Sequence, residues 1–389
     1  MWFFNSPEIV FGEEALSHLG NLQGKRAVLV TDENLIKLEI GEKIRSALAP
    51  SGMEMQIFSE VEPEPSIETV KKGAAFISEF MPDWILAAGG GSVMDAAKAM
   101  WILYERPDLQ PEEINPMDYL GLRKKARFVA IPTTTGTGSE ATWAIVLTDT
   151  IEHRKMGLGN REALPDLAIL EPELTMALPP KITVDTGLDA LTHAVEGYAS
   201  TWHNDFSDGL CLKASQLVFK YLPTVFAHPG DVDARTHLQN AATIAGLGFG
   251  NSMAALAHGM GHALGAAFHI PHGRAVSLFL PYTIEFSING EPDSTRYLEL
   301  ANFLLPGMKD EKQAGYALAQ AIRDLEEKLG SPRTLSECGI TRLDLDREME
   351  NLVNNAMNDT QTIMSTRIPD SEELRNLFLA AFLGKRIEK

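Results

Sequence analysis

Residues 83–99 read DWILAAGGGSVMDAAKA. The first half is a short apolar run that ends in three glycines. The second half reads as the opening of a helix. A continuous apolar run of this length, closed by turn residues, is the signature of a strand buried on both faces. The stretch therefore reads as strand, tight turn, helix. Three further runs are of the same kind: RAVLVTD (26–32), RFVAIPTTTGTG (127–138) and DLAILEP (166–172). Helical pattern lies between them, as in SIETVKKGAAFISEF (66–80). Buried strands alternating with helices predict an α/β domain with a parallel, helix-covered, Rossmann-like sheet.

The pattern changes at LPP (178–180), beyond which strand signals almost vanish. Long helical stretches follow, such as DTGLDALTHAVEGYAS (185–200) and EKQAGYALAQAIRDLEEKLG (311–330). The second is closed by Gly330 and Pro332, a helix stop. These features predict two domains, an α/β domain over 1–180 and an all-helical domain over 181–389. The 389 residues suffice for a large core in each.

Composition narrows the class. The chain is 44% apolar and 22% charged, ordinary for a globular protein, and no apolar run is long enough to span a bilayer. The opening MWFFNSPEIVFG has no basic lead and no long hydrophobic region, so it does not read as a signal peptide. Two cysteines far apart argue against a disulfide framework and suit a reducing cytoplasm. A formal net charge of −19 disfavours nucleic acid and anionic membrane as partners.

The glycine turn carries the first chemical signal. Gly89, Gly90 and Gly91 allow the backbone to approach a ligand closely, and the helix they open offers free N–H groups to a pyrophosphate. The plainer reading is a tight turn with Ser92 as N-cap. Asp32, placed at the end of a strand, suits the two hydroxyls of an adenosine ribose and would repel a 2′-phosphate, favouring NAD over NADP. The segment GTGSEA (136–141) formally fits a dinucleotide fingerprint. It follows Pro-Thr-Thr-Thr in a later strand unit, so it reads as a hydroxyl-rich cofactor loop.

The histidines carry the second signal. AHGMGHALGAAFHIPHG (257–273) places His258, His262, His269 and His272 within seventeen residues of a chain that has ten histidines. Asp189 and His193 are four apart, as are His258 and His262, so each pair shares a helix face. His272 follows Pro271 on what reads as a loop. One carboxylate with imidazoles suits Fe(II) or Zn(II). A histidine on an apolar helix is more often a core residue, but four among small residues point to a metal site. The surrounding glycines and alanines allow close helix packing. The absence of H-E-x-x-H removes the zinc-peptidase reading.

With these segments in view, the chain resembles the iron-dependent, group III alcohol dehydrogenases nearly end to end. The likeness runs through FNSPEIVFGEEAL (4–16), GGGSVMDAAKA, IPTTTGTGSEAT, LPPKITVDTGLDALTHAVEGYAS, AHGMGHALGAAFHIPHG and LGSPRTLSECGI (329–340). The resemblance implies a dehydroquinate-synthase-like architecture, with the active site in a cleft between an NAD-binding domain and a helical domain. It implies metal ligation by Asp189, His193, His258 and His272. His262 matches a histidine near the nicotinamide that moves protons and does not bind metal. His269 has no matching role and reads as structural or cleft-lining. For the cofactor it implies Asp32 at the ribose, and Gly89, Gly90, Gly91, Ser92 and Asp95 at the pyrophosphate. Thr133, Thr134, Thr137, Thr142 and Lys155 match the surrounding loop and strand contacts. Trp143 and Phe249 fall near positions that line the substrate cleft. Three departures stand out: Glu64 in EPEPS (62–66) where many members have Asn, Glu171 where Asp is usual, and RIPD (367–370) in place of a more typical Asn-Pro-Arg.

The expected reaction is hydride transfer between NAD(H) and a small alcohol, diol or aldehyde, with a homo-oligomeric assembly usual in the family. Metal would act as Lewis acid on the alcohol oxygen, and His262 would carry the proton. Alternatives on the same scaffold are a polyol dehydrogenase or a sugar-phosphate cyclase, for which only Arg274 supplies an adjacent cation. A metal-dependent hydrolase with Glu196 as base, or a non-catalytic NAD-binding protein, are the alternatives of another class.

Overall fold

The computed structural model describes residues 3–150, 154–290 and 295–388, so the first two residues of the apolar opening stretch lie outside it. The chain divides into two compact units, Met1–Leu178 and Pro179–Lys389.

The first unit is built on a six-stranded sheet in the order β1-β8-β5-β4-β2-β3, every neighbouring pair parallel. Its strands are β1 (Glu8–Phe11), β2 (Arg26–Val30), β3 (Glu54–Phe58), β4 (Trp84–Gly89), β5 (Arg127–Pro132) and β8 (Leu167–Leu170). All six residues of β4 are buried, which is why this strand reads as a continuous apolar run and not as an alternating one. Helices α1 (Glu33–Lys37), α2 (Ile40–Leu48), α3 (Ile67–Phe80) and α4 (Gly91–Glu105) connect the strands. Ser66 caps α3 by accepting from the Thr69 N–H. Separate apolar clusters on the two sides of the sheet contain Val28 and Ile85 on one and Leu29 and Leu86 on the other.

Four of the eight strands among the described residues escape the apolar-run signal. β1 and β3 sit at the sheet edges and are only partly buried, so neither shows a continuous apolar stretch. An antiparallel hairpin of β6 (Ala144–Asp149) and β7 (Arg154–Gly159) stands apart from the parallel sheet. Its β6 shows a regular alternation of half-buried and buried residues, the mark of a strand with one covered face.

The second unit contains α5 (Pro180–Ala199), α6 (Asp205–Ala227), α7 (Val232–Gly250), α8 (Leu256–Phe268), α9 (His272–Ile288), α10 (Tyr297–Leu304), α11 (Glu311–Leu329), α12 (Arg342–Asn358) and α13 (Ser371–Leu383). Gly330 ends α11 in the left-handed conformation (φ 67), which glycine adopts without a Cβ clash. No helix among the described residues is long and apolar enough to cross a membrane.

Close approach of the central helices depends on missing side chains. A Cβ on Gly273 would lie 2.2 Å from the Asp185 carbonyl oxygen and 3.0 Å from Asp189 Cβ, so the first turn of α9 rests directly on α5. A Cβ on Gly261 would lie 2.9 Å from Val276 Cα, so α8 and α9 also meet at backbone distance. Real side chains do not tolerate such contacts, and the backbone cannot swing aside as a flexible side chain could.

Candidate functional site

The glycines of PHG and HGMGH thus bring three helices together, and their side chains converge. Asp189 and His193 stand one turn apart on α5, His258 is on α8, and His272 opens α9. His272 is therefore the first residue of a helix, with Pro271 as N-cap, rather than a loop residue. Proline's fixed φ and missing N–H suit it to that boundary, and this explains why the sequence looks loop-like there.

One ligand atom from each of these four residues lies within 4.8 Å of all the others. Asp189 Oδ1 is 3.8 Å from His193 Nδ1, 3.9 Å from His258 Nε2 and 3.5 Å from His272 Nε2. Tetrahedral bonds of about 2.1 Å would separate ligand atoms by about 3.4 Å. Asp189 Oδ1 and His258 Nε2 are buried and make no hydrogen bond. Two polar atoms at that burial, facing the same point, fit a shared cation.

The electrostatics agree. Burial pushes Asp189 up to about 8, and the neighbouring Asp185 and Glu196 charges add to the rise. Burial also pushes Glu196 up to about 7, although several backbone hydrogen bonds favour its charged form. The His258 imidazole is pushed down to about 3, again mainly by burial, so it is neutral and can offer a lone pair. Asp185 is compensated by a two-point pair with Arg274, at 3.0 and 2.7 Å. Asp189 has no such partner: its Oδ1 is buried without a hydrogen bond and faces three imidazoles at 3.5–3.9 Å, a place that a divalent cation suits.

Glu196, which the sequence offers as a hydrolytic base, instead supports His258. One oxygen accepts the Ala257 N–H at 2.6 Å and the other meets His258 Nδ1 at 2.5 Å. Both oxygens are committed, so Glu196 is not placed as a hydrolytic base. It orients His258 and fixes the proton on Nδ1, leaving Nε2 toward the other ligand atoms. Glu196→Gln is expected to weaken metal affinity about 10- to 100-fold. Chelator competition measures this, and an unchanged affinity would remove the supporting role.

His262 stands outside the four. Its Nδ1 bonds to Asp359 Oδ2 at 2.8 Å, and its ring stacks on that of His272 with centroids 5.3 Å apart. Asp359 is held in turn by the Gln361 N–H at 2.8 Å. Phe249 lies flat on His193, with centroids 4.0 Å apart and planes within 7°, which gives the group an apolar wall. His269 ends α8 in the left-handed conformation (φ 53), exposed, with its backbone N–H on the Gly265 carbonyl. Arg274 is occupied by Asp185, so it offers no free cation to a substrate phosphate.

The α/β unit carries the other set. The chain leaves β2 for β3 on one side and leaves β4 for β5 on the other, so the strand order reverses between β2 and β4. Ligands of open parallel sheets bind at the carboxyl ends of strands at such a point. Asp32 follows β2, and Gly89–Ser92 closes β4. Asp32 is not the strand end that the sequence suggests, since β2 stops at Val30. It caps α1, with Oδ1 accepting the Asn34 and Leu35 N–H groups. Only Oδ1 is used, which leaves Oδ2 for a hydroxyl.

Ser92 is the second residue of α4, and the N-cap is Gly90. No side chain caps this helix, so its first-turn N–H groups face outward for an anion. A Cβ on Gly90 would lie 3.1 Å from Thr134 Cγ2, and one on Gly91 would lie 2.8 Å from Thr137 Cγ2. The turn and the threonine loop are thus packed together. Thr133 and Thr142 are buried, while Thr134 and Thr137 are half-buried. Asp95 braces the assembly from inside: it accepts from Ser139 Oγ at 2.8 Å and from the Val146 N–H at 3.0 Å. The buried Lys98 ammonium donates to Ser139 O and Oγ, both at 2.8 Å, and to Ala144 O at 3.1 Å. Burial lowers Lys98 to about 8 against the pull of Asp95 and Glu140. Trp143 packs against Gly159 on the hairpin. Lys155 pairs with Glu64 at 2.6 Å.

A glycine turn suited to a diphosphate and a side-chain cluster suited to a divalent cation, on one chain, fit the class of metal-dependent dehydrogenases. The chain belongs to the iron-containing alcohol dehydrogenase family: the family's own model, iron-containing alcohol dehydrogenase, matches residues 6–172, and the model of the family's C-terminal region matches 183–382. The chain is 37% identical to an NADPH-dependent butanol dehydrogenase of Clostridium saccharobutylicum over the full length of both. Among solved structures it matches a 1,3-propanediol oxidoreductase (TM-score 0.90, 30% identity, 98% of this chain and 100% of that one). A sulfoacetaldehyde reductase from Bifidobacterium kashiwanohense, solved in complex with NAD+, matches with a TM-score of 0.86 at 28% identity, over 98% of both chains.

Proposed function

We propose that the enzyme interconverts a short, uncharged alcohol or diol and its aldehyde with NAD(H), and that Asp189, His193, His258 and His272 hold its metal. The observation that carries this reading is the convergence of four ligand atoms around buried, unpartnered Asp189 Oδ1 and His258 Nε2. The donor set, one carboxylate and three imidazoles, suits Fe(II) and also accepts Zn(II). A bound divalent cation supplies Lewis acidity toward the substrate oxygen. The nicotinamide is the hydride partner.

The chain's own residues do the rest. Glu196 holds His258 in the tautomer that keeps Nε2 unprotonated. Asp359 holds the Nδ1 proton of His262, so its Nε2 is free to take the proton that an alcohol loses. Phe249 covers one side of His193 and keeps water from it. The apolar wall, with Arg274 already engaged by Asp185, favours a small neutral substrate over an anionic one.

The butanol dehydrogenase relative uses NADPH, so the choice of cofactor needs its own residue. Asp32 Oδ2 suits an unmodified ribose, and its charge repels a 2′-phosphate. Asp32→Gly is expected to raise the NADP/NAD ratio of kcat/KM by about tenfold or more. An unchanged ratio would overturn its ribose role.

The direct experiment is NADH formation from a panel of short alcohols and diols, on anaerobically purified protein, chelated and then reloaded with Fe(II) or Zn(II). Metal-dependent turnover on uncharged substrates is the expected result. Turnover that survives complete metal removal overturns the reading.

A further inference from the structure

Glu64 lies in the loop between β3 and α3, at the carboxyl end of the sheet, beside the glycine turn. Its backbone is left-handed (φ 57), a conformation that non-glycine residues adopt only at a cost. That conformation serves two contacts. The Glu64 N–H donates to Ser92 Oγ at 3.3 Å, in the first turn of α4. The Glu64 carboxylate accepts from Lys155 Nζ at 2.6 Å. The next residue ties in the hairpin that bears Lys155, because the Thr148 N–H donates to Pro65 O at 2.8 Å. Ser92, Glu64 and Lys155 therefore form one connected line at the uncapped end of α4. Lys155 is mostly covered, with a side chain 20% exposed, and among the described residues Glu64 is its one ion-pair partner.

This places a fixed anion where the fold prepares to receive another. The end of α4 attracts negative charge, and the Lys155 ammonium beside it does the same. In the ligand-free protein Glu64 takes up that attraction. A dinucleotide brings a diphosphate with about two negative charges to the same place, and it must compete with Glu64 for Lys155.

We propose that Glu64 is a latch on Lys155 that sets how quickly the dinucleotide leaves. Binding draws Lys155 toward the diphosphate and leaves the Glu64 carboxylate beside it as a like charge. That repulsion speeds release. The proposal rests on the dinucleotide reading of the glycine turn. Glu64 acts through Lys155 and is a positioning residue for the cofactor.

Glu64→Gln keeps the shape and removes the charge. It is expected to tighten NADH binding about fivefold, equivalent to about 1 kcal/mol. Most of the gain should appear as slower release in a stopped-flow displacement experiment. ADP, used as a competitive inhibitor, should tighten by a similar factor, whereas adenosine, which lacks the diphosphate, should not change. Lys155→Met should weaken NADH, and in the double variant it should erase the gain from Glu64→Gln. The gain should also shrink in high salt. An NADH dissociation constant for Glu64→Gln that is unchanged or weaker overturns the latch, as does equal tightening of adenosine and ADP. Wild-type protein that binds neither NADH nor ADP overturns the dinucleotide reading itself, a separate result.

Discussion

His272→Ala is expected to strip the cation and abolish turnover together. The imidazole is one of four groups whose ligand atoms share a point, and it closes the more open side, with a side chain 37% exposed against 2–6% for the other three. Alanine at position 272 leaves Asp189, His193 and His258 in place but takes away the fourth donor. Lewis-acid catalysis contributes several kcal/mol, so kcat/KM should fall by about 1000-fold or more. Metal analysis after gel filtration should show loss of bound iron or zinc in step with activity. Folding should persist, because His272 sits at the edge of the helical core. A His272→Ala protein that keeps both its metal and its turnover would take His272 out of the ligand set.

The second large effect separates His262 from the ligands. His262→Ala should retain metal and slow turnover about 10²- to 10⁴-fold, the usual range for a lost general acid–base. Asp359→Asn is the sharper test. The carboxylate accepts the Nδ1 proton of His262, and an asparagine can instead turn its N–H₂ toward the ring and favour the opposite tautomer. Turnover should then fall about 100-fold with metal content and KM little changed. Nitrogen NMR of labelled histidine should report the tautomer shift at His262. Loss of metal in His262→Ala would instead make it a ligand. Normal turnover in Asp359→Asn would reduce the pair to a packing contact.

The sequence made some of this legible for physical reasons. β4 could be read because a strand covered on both faces must be apolar throughout. The paired spacing of Asp189 with His193 on α5 could be read because helix geometry puts residues four apart on one face. The glycines at 261 and 273 could be read as packing residues, although not what they pack against. Other parts were hidden. Edge strands β1 and β3 carry mixed patterns because only part of each is covered. Ser92 looks like a cap, yet Gly90 holds that position, since a serine hydroxyl and a bare turn leave similar traces in sequence. Asp359 is 97 residues from His262 and lies in an ordinary polar segment. No periodicity or spacing connects the two, because only the folded chain brings α8 and the end of α12 together. Lys98 looks like any helix lysine until its burial shows that it pins the loop at Ser139 and Ala144.

The arrangement of the ligands along the chain has a consequence for durability. His193 is on α5 and His258 on α8, and the whole of α6 and α7 lies in the loop between them. A cation held by both acts as a cross-link that closes more than sixty residues of chain. By loop-closure entropy, a link of that span stabilises the folded state by about 4 kcal/mol, as much as a good disulfide. An ion held there would thus also be a clasp on the helical core. An enzyme that loses it loses working lifetime as well as rate, so thermal inactivation and proteolysis should accelerate as soon as a chelator empties the site.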